Sequence, residues 1–248
     1  MTDRERKMEI RNTAVLLAAG RGKRMNMEGY KQYLEIQGAP LFTYSLKALT
    51  ESPVITDIVI TVNEGDEDHM RAMVEQYGLS EKVRAVVHGG AERFLSVYEG
   101  LKAVSWPCDF VYVHDSARAF LDQETLLRLD RAARESGSAV AGVPSKDTVR
   151  ITDDEGFGLS TPARKNVWIV QTPQVFRIED ILLAHSMAVE SLDRLEAEGI
   201  QITDDAMVAE TMLGIKARMV MASYNNIKVT TQEDLPLAEA ILKGPSFR

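Results

Sequence analysis

The sequence predicts an α/β fold, a mostly parallel sheet with helices on both faces and a protruding β-arm, and three observations predict it. Short β-rich runs alternate with stretches whose apolar residues recur at helical spacing. The alternation breaks only after Val140, where polar and Gly-rich interruptions separate β-like pieces. Hydrophobic residues make up 45% of the 248, enough for a sizeable core. Strands separated by helices pair in parallel, and the ligands of such sheets lie at the carboxyl ends of the strands. The polar residues at those ends are therefore the candidates for chemistry.

In chain order, TAVLLAA (13–19) is a strand that empties into a Gly-rich turn, and KQYLEIQGAPLFTYSLKALTES (31–52) ends in a helical pattern over FTYSLKALTE. VITDIVITVN (54–63) is Val/Ile/Thr-rich and reads as a strand, EDHMRAMVEQYGL (67–79) as a helix and VRAVVHGG (83–90) as a strand. RFLSVYEGLKAVS (93–105) is a helix, and CDFVYVHDSAR (108–118) a buried strand with a polar end. Asp122 stands as cap before QETLLRLDRAARES, and Thr203 or Asp204 before DAMVAETMLG, with Gly214 as the stop. A last helix is expected to begin at Thr231. The stretch VPSKDTVRITDDEGFGLSTPARKNVWIVQTP (143–173) reads as an extended hairpin. No linker or repeat divides the chain, so residues 11–244 are expected to form a single domain, with the arm at about 144–170 and a tail at 1–10. An isolated hairpin is marginal in water and its edges invite aggregation, so the arm is expected to pack on a partner subunit.

The charge balance, 29 basic against 37 acidic residues for a net of −8, speaks against a broad footprint for nucleic acid or an anionic membrane. Anionic ligands then need a local cluster of cations, and Arg21, Lys23, Arg24 and Lys31 supply one beside the first turn. One cysteine, Cys108, excludes an internal disulfide and a Cys-based zinc site. The charged N-terminus has no apolar core of signal-peptide length, and no run approaches the length of a membrane span. The expectation is a soluble, cytoplasmic protein.

Gly20 and Gly22 allow the backbone to approach a ligand closely, with N–H groups free to receive phosphate oxygens. Their spacing matches neither GxGxxG nor GxxxxGK[ST], so the turn alone leaves phosphate binding and a plain strand exit both open. Asp115, at the end of VYVHD, can hold a divalent cation as a hard oxygen ligand, or can cap the next turn with Arg118 as its pair. His114 reads as a packed core residue. HGGAERFLSV (88–97) offers a Gly-Gly backbone surface on which a flat base can rest, with Ser96 in reach, or else a turn before a helix. Lys228 in NNIKVTTQEDL (225–235) is the last candidate cation.

Together LLAAGRGKRM, KQYLEIQGAPLFTYSL, HGGAERFLSVYEGL, VHDSARAF, GVPSKDTV, QTPQVF, ITDDA and NNIKVTTQEDL, in that order, resemble the 2-C-methyl-D-erythritol 4-phosphate cytidylyltransferase family. The resemblance covers nearly the whole chain. It implies a Rossmann-like nucleotide-binding domain, a homodimer joined by the arm, CTP and a sugar phosphate as substrates, and a divalent cation, normally Mg²⁺. Carried onto this sequence, it makes Arg24 and Lys31 the principal catalytic cations and Lys228 a third contact to the phosphates. Asp115 would position the metal; Ala18, Ala19 and Gly20 would line the nucleotide; and Gly90, Ala91 and Ser96 would receive the cytosine. Thr148 and Arg164 on the arm would reach the sugar phosphate in the partner's site, with Arg118 and Thr172 nearby. The chain departs from the family pattern in VHDSARAF, which lacks the proline after the arginine, in Tyr30 where proline is common, and in Ala91 where some members carry Asp. The first two remove no charged group, and at Ala91 a contact would have to use the backbone. A ribitol 5-phosphate cytidylyltransferase and a silent nucleotide-binding module remain the alternatives.

Overall fold

The carboxyl ends of the strands sit where the alternation places them. The computed structural model describes residues 10–20 and 31–244, so Arg21, Lys23, Arg24 and Tyr30 lie outside the described residues. Strand β1 (Asn12–Leu17) is followed by a 3-10 turn (Lys31–Tyr33), a small ladder of β2 (Glu35–Ile36) with β3 (Ala39–Pro40), and α1 (Leu41–Thr50). Then come β4 (Asp57–Val62), α2 (Glu67–Gln76), β5 (Val83–His88), α3 (Arg93–Lys102) and β6 (Phe110–Asp115). Next are α4 (Gln123–Ser136), β7 (Ser138–Pro144), β8 (Ile151–Thr152), β9 (Gly158–Ser160) and β10 (Trp168–Arg177). Helices α5 (Ile178–Glu190), α6 (Leu192–Ala197) and α7 (Asp205–Leu213), strand β11 (Arg218–Met221) and α8 (Asp234–Lys243) complete the order.

Seven strands form one sheet in the order β11-β7-β10-β6-β1-β4-β5. Every pairing is parallel except those of β10, which runs antiparallel to both β6 and β7. The two-residue period of the strands builds two cores. Ala14, Leu16, Ile58, Ile60 and Tyr112 face Phe42, Leu46 and Leu49 of α1, Met70 of α2 and Leu126 of α4. Val15, Val59, Val111 and Val113 face the other way, onto Val97 and Leu101 of α3, Ile181 of α5 and Ala209 of α7. Each buried Val, Leu, Ile, Phe or Met among them contributes about 1.5–3 kcal/mol, against about 1 kcal/mol for a helix cap. Layer packing therefore holds the helices, and the caps decide where they begin.

Two of those caps are as expected. The Asp122 carboxylate accepts from the Thr125 N–H at 2.6 Å, and Asp204, not Thr203, accepts from the Met207 N–H at 2.8 Å. The left-handed Gly214 (φ 68°) ends α7. The third helix start differs from expectation. The Asp234 carboxylate accepts from the N–H groups of Thr230 (2.6 Å) and Thr231 (2.9 Å), closing a turn over 230–234. That turn occupies the residues expected to open the helix, so α8 starts at Asp234 instead of Thr231.

Across 144–170 both ends lie in the main sheet, where Trp168, Ile169 and Val170 pair with Pro144, Val143 and Gly142. Between them β8 and β9 form a separate ladder, Ile151 opposite Ser160 and Thr152 opposite Gly158. Phe157, just ahead of β9, and Leu159, on it, are 68% and 67% exposed. No helix among the described residues is long and apolar enough to cross a membrane.

Candidate active site

Parallel pairing brings the polar strand ends to one edge of the sheet. Leu17 lies opposite Asp115, so the Ala18–Gly20 exit of β1 adjoins the end of β6. The Ala18 N–H donates to Thr61 O at 2.8 Å and the Gly89 N–H to Val62 O at 2.7 Å, which holds the exits of β1 and β5 against β4. Close approach requires the two glycines after β5. A Cβ at Gly89 would stand 2.6 Å from Ser96 Oγ and 2.8 Å from Ala19 Cβ, and one at Gly90 would stand 2.3 Å from Leu95 Cβ. Ala19, Gly89 and Ser96 are thus brought together, while Ala91 is exposed. The Ser96 hydroxyl donates inward, to Glu92 O at 3.0 Å or Gly90 O at 3.3 Å, so it ties the loop to α3 and offers a ligand its lone pairs.

Beside this cradle, Asp115 is a hub. Its Oδ1 accepts from Arg93 Nε at 3.1 Å and its Oδ2 from Lys228 Nζ at 2.6 Å. Its own N–H donates to the Thr172 hydroxyl at 3.1 Å. Burial alone would raise the Asp115 carboxyl, but Arg93 and then Lys228 outweigh it and hold it far below the usual carboxylate range. Lys228 is seated by its neighbours. The Val229 N–H donates to Ala117 O at 2.9 Å, and Asn226 Nδ2 donates to Thr172 O at 2.9 Å and to Gln171 Oε1 at 3.1 Å. Arg118 donates to Asn226 O (3.0 Å) and Val170 O (3.3 Å), so its guanidinium braces the same loops.

Arg93 and Asp205 are functional candidates that reading the chain did not single out. The fork of Arg93 is divided: Nε reaches Asp115, and Nη2 donates to Asp205 Oδ2 at 2.9 Å. Asp205 is fully buried at the start of α7. Burial would raise its carboxyl, and Arg93 holds it below the usual range. A sequence signal for Arg93 did exist. It opens α3, where a cation meets the positive end of the helix dipole, and such a residue calls for an anionic partner.

His114 is a core histidine, as expected. Its Nε2–H donates to Arg118 O at 3.2 Å, while Nδ1 lies 3.0 Å from the Thr172 hydroxyl. That hydroxyl already accepts from the Asp115 N–H, so its proton points to Nδ1, which fits a neutral ring. Burial, opposed by the neighbouring Asp115 carboxylate, pushes the imidazole down to about 4. The unfolded chain then binds a proton below the ordinary histidine value that the folded chain refuses. This contribution to stability is complete above about pH 6.5 and drains away as the pH falls towards 4, by about 3 kcal/mol in all. Urea titrations at stepped pH should show that loss, and a His114→Gln protein should lack it.

Thr148 and Arg164 lie elsewhere. They bond to each other (Nη2 to Oγ1, 3.1 Å), both exposed, and neither bonds to the Asp115 cluster. Lys31 opens the 3-10 turn ahead of β2, and Arg24 is outside the described residues. An open cleft of about 700 Å³ between α2, β5 and α3, lined by Arg71, His88 and Lys102 among others, shares no residue with the cluster. Among the described residues no three His, Cys, Asp or Glu side chains converge to hold a metal by themselves. Asp115 nonetheless suits a hard cation. It is kept ionised, and its two oxygens, each engaged by one cationic donor, retain lone pairs.

The family model described as "IspD: 2-C-methyl-D-erythritol 4-phosphate cytidylyltransferase" matches residues 12–244. A 2-C-methyl-D-erythritol 4-phosphate cytidylyltransferase of Alkaliphilus oremlandii is 40% identical over 234 residues, 94% of this chain and 95% of that protein. One from Desulforamulus reducens is 41% identical over 230 residues, 93% of this chain and 95% of that protein. Among solved structures, the 4-diphosphocytidyl-2C-methyl-D-erythritol synthase of Anaerococcus prevotii superposes with a TM-score of 0.80 at 32% identity, covering 95% of this chain and 97% of that one.

Proposed function

The chain belongs to the 2-C-methyl-D-erythritol 4-phosphate cytidylyltransferase family, and from that premise we propose how its residues carry the reaction. The enzyme is a nucleotidyltransferase. It transfers CMP from CTP to 2-C-methyl-D-erythritol 4-phosphate, giving 4-diphosphocytidyl-2-C-methyl-D-erythritol and pyrophosphate, a step of isoprenoid precursor biosynthesis. The observation that carries the site assignment is the convergence of Arg93 and Lys228 on Asp115 beside the Gly89–Gly90 cradle.

The acceptor's phosphomonoester, with a second pKa near 6, is largely dianionic at neutral pH. Its oxygen attacks the α-phosphorus of CTP in line and pyrophosphate leaves, so no general base is required. The difficulty is repulsion between anions and the charge that builds on the α-phosphate and on pyrophosphate. Cations fixed in advance answer it by positioning and electrostatic stabilisation. We assign that work to Arg24 and Lys31, with Lys228 as the third contact to the phosphates. Ala18, Ala19 and Gly20 line the nucleotide, and Gly90, Ala91 and Ser96 receive the cytosine, Ala91 through its backbone. Asp115 would hold Mg²⁺ together with phosphate oxygens, and the ion would neutralise phosphate charge when bound. Arg118, Thr148, Arg164 and Thr172 serve the sugar phosphate. The two arm residues do so from the partner's arm in a homodimer, a reading supported by the exposed Phe157 and Leu159. The substrates are small and water-soluble, and we place the reaction in the cytoplasm.

Pyrophosphate release from CTP and Mg²⁺ tests the reading. It is expected with 2-C-methyl-D-erythritol 4-phosphate and not with ribitol 5-phosphate. Faster release with ribitol 5-phosphate would reassign the acceptor, and release with neither would overturn the activity. Sedimentation at the assay concentration should give a dimer, and monomer alone would remove the arm from the site.

A further inference from the structure

Asp205 touches none of the residues assigned to substrate, yet it is buried completely with a charge that water cannot reach. His185 walls it from the α5 side, with Nε2 3.4 Å from Asp205 Oδ1 in a poor hydrogen-bond alignment, and Arg93 gives the larger pull on the carboxylate. The charge of Asp205 is therefore met chiefly through Oδ2, by Arg93. Buried ion pairs are poor sources of stability, because desolvation consumes much of what the attraction returns. What this pair does control is direction. The start of α7 is pinned to β10 by Gln174, whose Nε2 donates to Asp204 Oδ2 and whose Oε1 accepts from the Ala206 N–H, both at 2.9 Å. The oxygen that Arg93 meets is thereby fixed to the same strand that carries Thr172.

A guanidinium beside a carboxylate favours the two-bond, fork-to-fork pairing. Here the fork is split, and Arg93 gives Asp115 only Nε, at Oδ1. Oδ2 is left to Lys228. We propose that Asp205 is a positioning residue for CMP transfer: by holding Nη2 of Arg93 it reserves the second oxygen of Asp115 for Lys228, and so sets where Lys228 meets the phosphates. Without the charge at 205, Arg93 turns its second nitrogen onto Asp115 and displaces Lys228.

This inference rests on the role given to Lys228, and its test has one readout that is independent of turnover. In Asp205→Asn, acylation of Lys228, followed by mass spectrometry on the folded protein, is expected to speed up several-fold. Its kcat is expected to fall by about 10- to 100-fold, as for other partners that orient a reacting group, with KM for CTP less affected. Lys228 labelling at the wild-type rate would overturn the proposal, whether or not CMP transfer is observed. Absent wild-type transfer with accelerated labelling would overturn the activity and leave the positioning standing. Should Asp205→Asn fail to fold, Arg93→Lys keeps the charge but cannot span both carboxylates. The same loss of kcat is expected of it, and wild-type kcat in that variant would overturn the proposal.

Discussion

A Lys31→Ala protein is expected to keep its fold and to lose about 10²- to 10³-fold in kcat, the loss that follows removal of one preorganised donor from developing charge. The acceptor is already a nucleophile, so the variant loses no proton transfer and the whole deficit appears in the chemical step. The position is suited to that work. Lys31 opens a 3-10 turn whose next residue, Gln32, is buried. The following Tyr33 ring packs edge-on against Phe42 and His69, with centroids 6.2 and 4.8 Å away. The turn that carries residue 31 is thus anchored against α1 and α2. Steady-state kinetics with circular dichroism checks the expectation. Wild-type turnover in a folded Lys31→Ala protein would remove the lysine from the mechanism.

The sheet was legible because its determinants are local. Ala14 and Leu16 point one way and Val15 the other by the pleat alone, and Asp122 and Asp204 announce their helices within three residues. Thr231 misled for an equally local reason. The carboxylate that halts the turn comes from Asp234, downstream of the residue expected to start the helix. The site is different in kind. Asp115 draws Arg93 from 22 residues away and Lys228 from 113, and Arg93 meets Asp205 across 112. No periodicity reports a pairing of that length. Asp205 was the harder of the two missed residues to find. A carboxylate in the first turn of a helix is where the dipole favours it, so its position signals nothing, whereas Arg93 opposes the dipole of its own helix. Thr148 and Arg164 show the other limit: within one chain their side chains bond to each other, and the proposed role in a partner's site leaves no contact in a single chain to report it.

Asp115→Asn is expected to damage stability and catalysis together. The substitution keeps the shape and removes the one carboxylate on which Arg93 and Lys228 converge. Taking away the shared carboxylate leaves Lys228 without its partner and Arg93 with Asp205 alone. Asp115 is 7% exposed and Lys228 lies partly in solvent, so the cost should fall near the lower end of the usual range, about 3 kcal/mol at neutral pH. The pH dependence separates this from a packing defect. The folded carboxyl is held far below its unfolded value, so its contribution is fully present above the unfolded pKa of about 4 and is lost as the pH falls through the folded one. The stability gap between wild type and Asp115→Asn should stay constant from pH 8 to about 5 and narrow below that. A packing defect would leave a gap that does not depend on pH. In catalysis the neutral side chain can neither hold Lys228 nor offer a divalent cation a charged ligand. Turnover should therefore fall by about 10²-fold or more, and raising Mg²⁺ should recover little of it. Full recovery at high Mg²⁺ would confine Asp115 to metal affinity and leave the alignment of Lys228 to other residues.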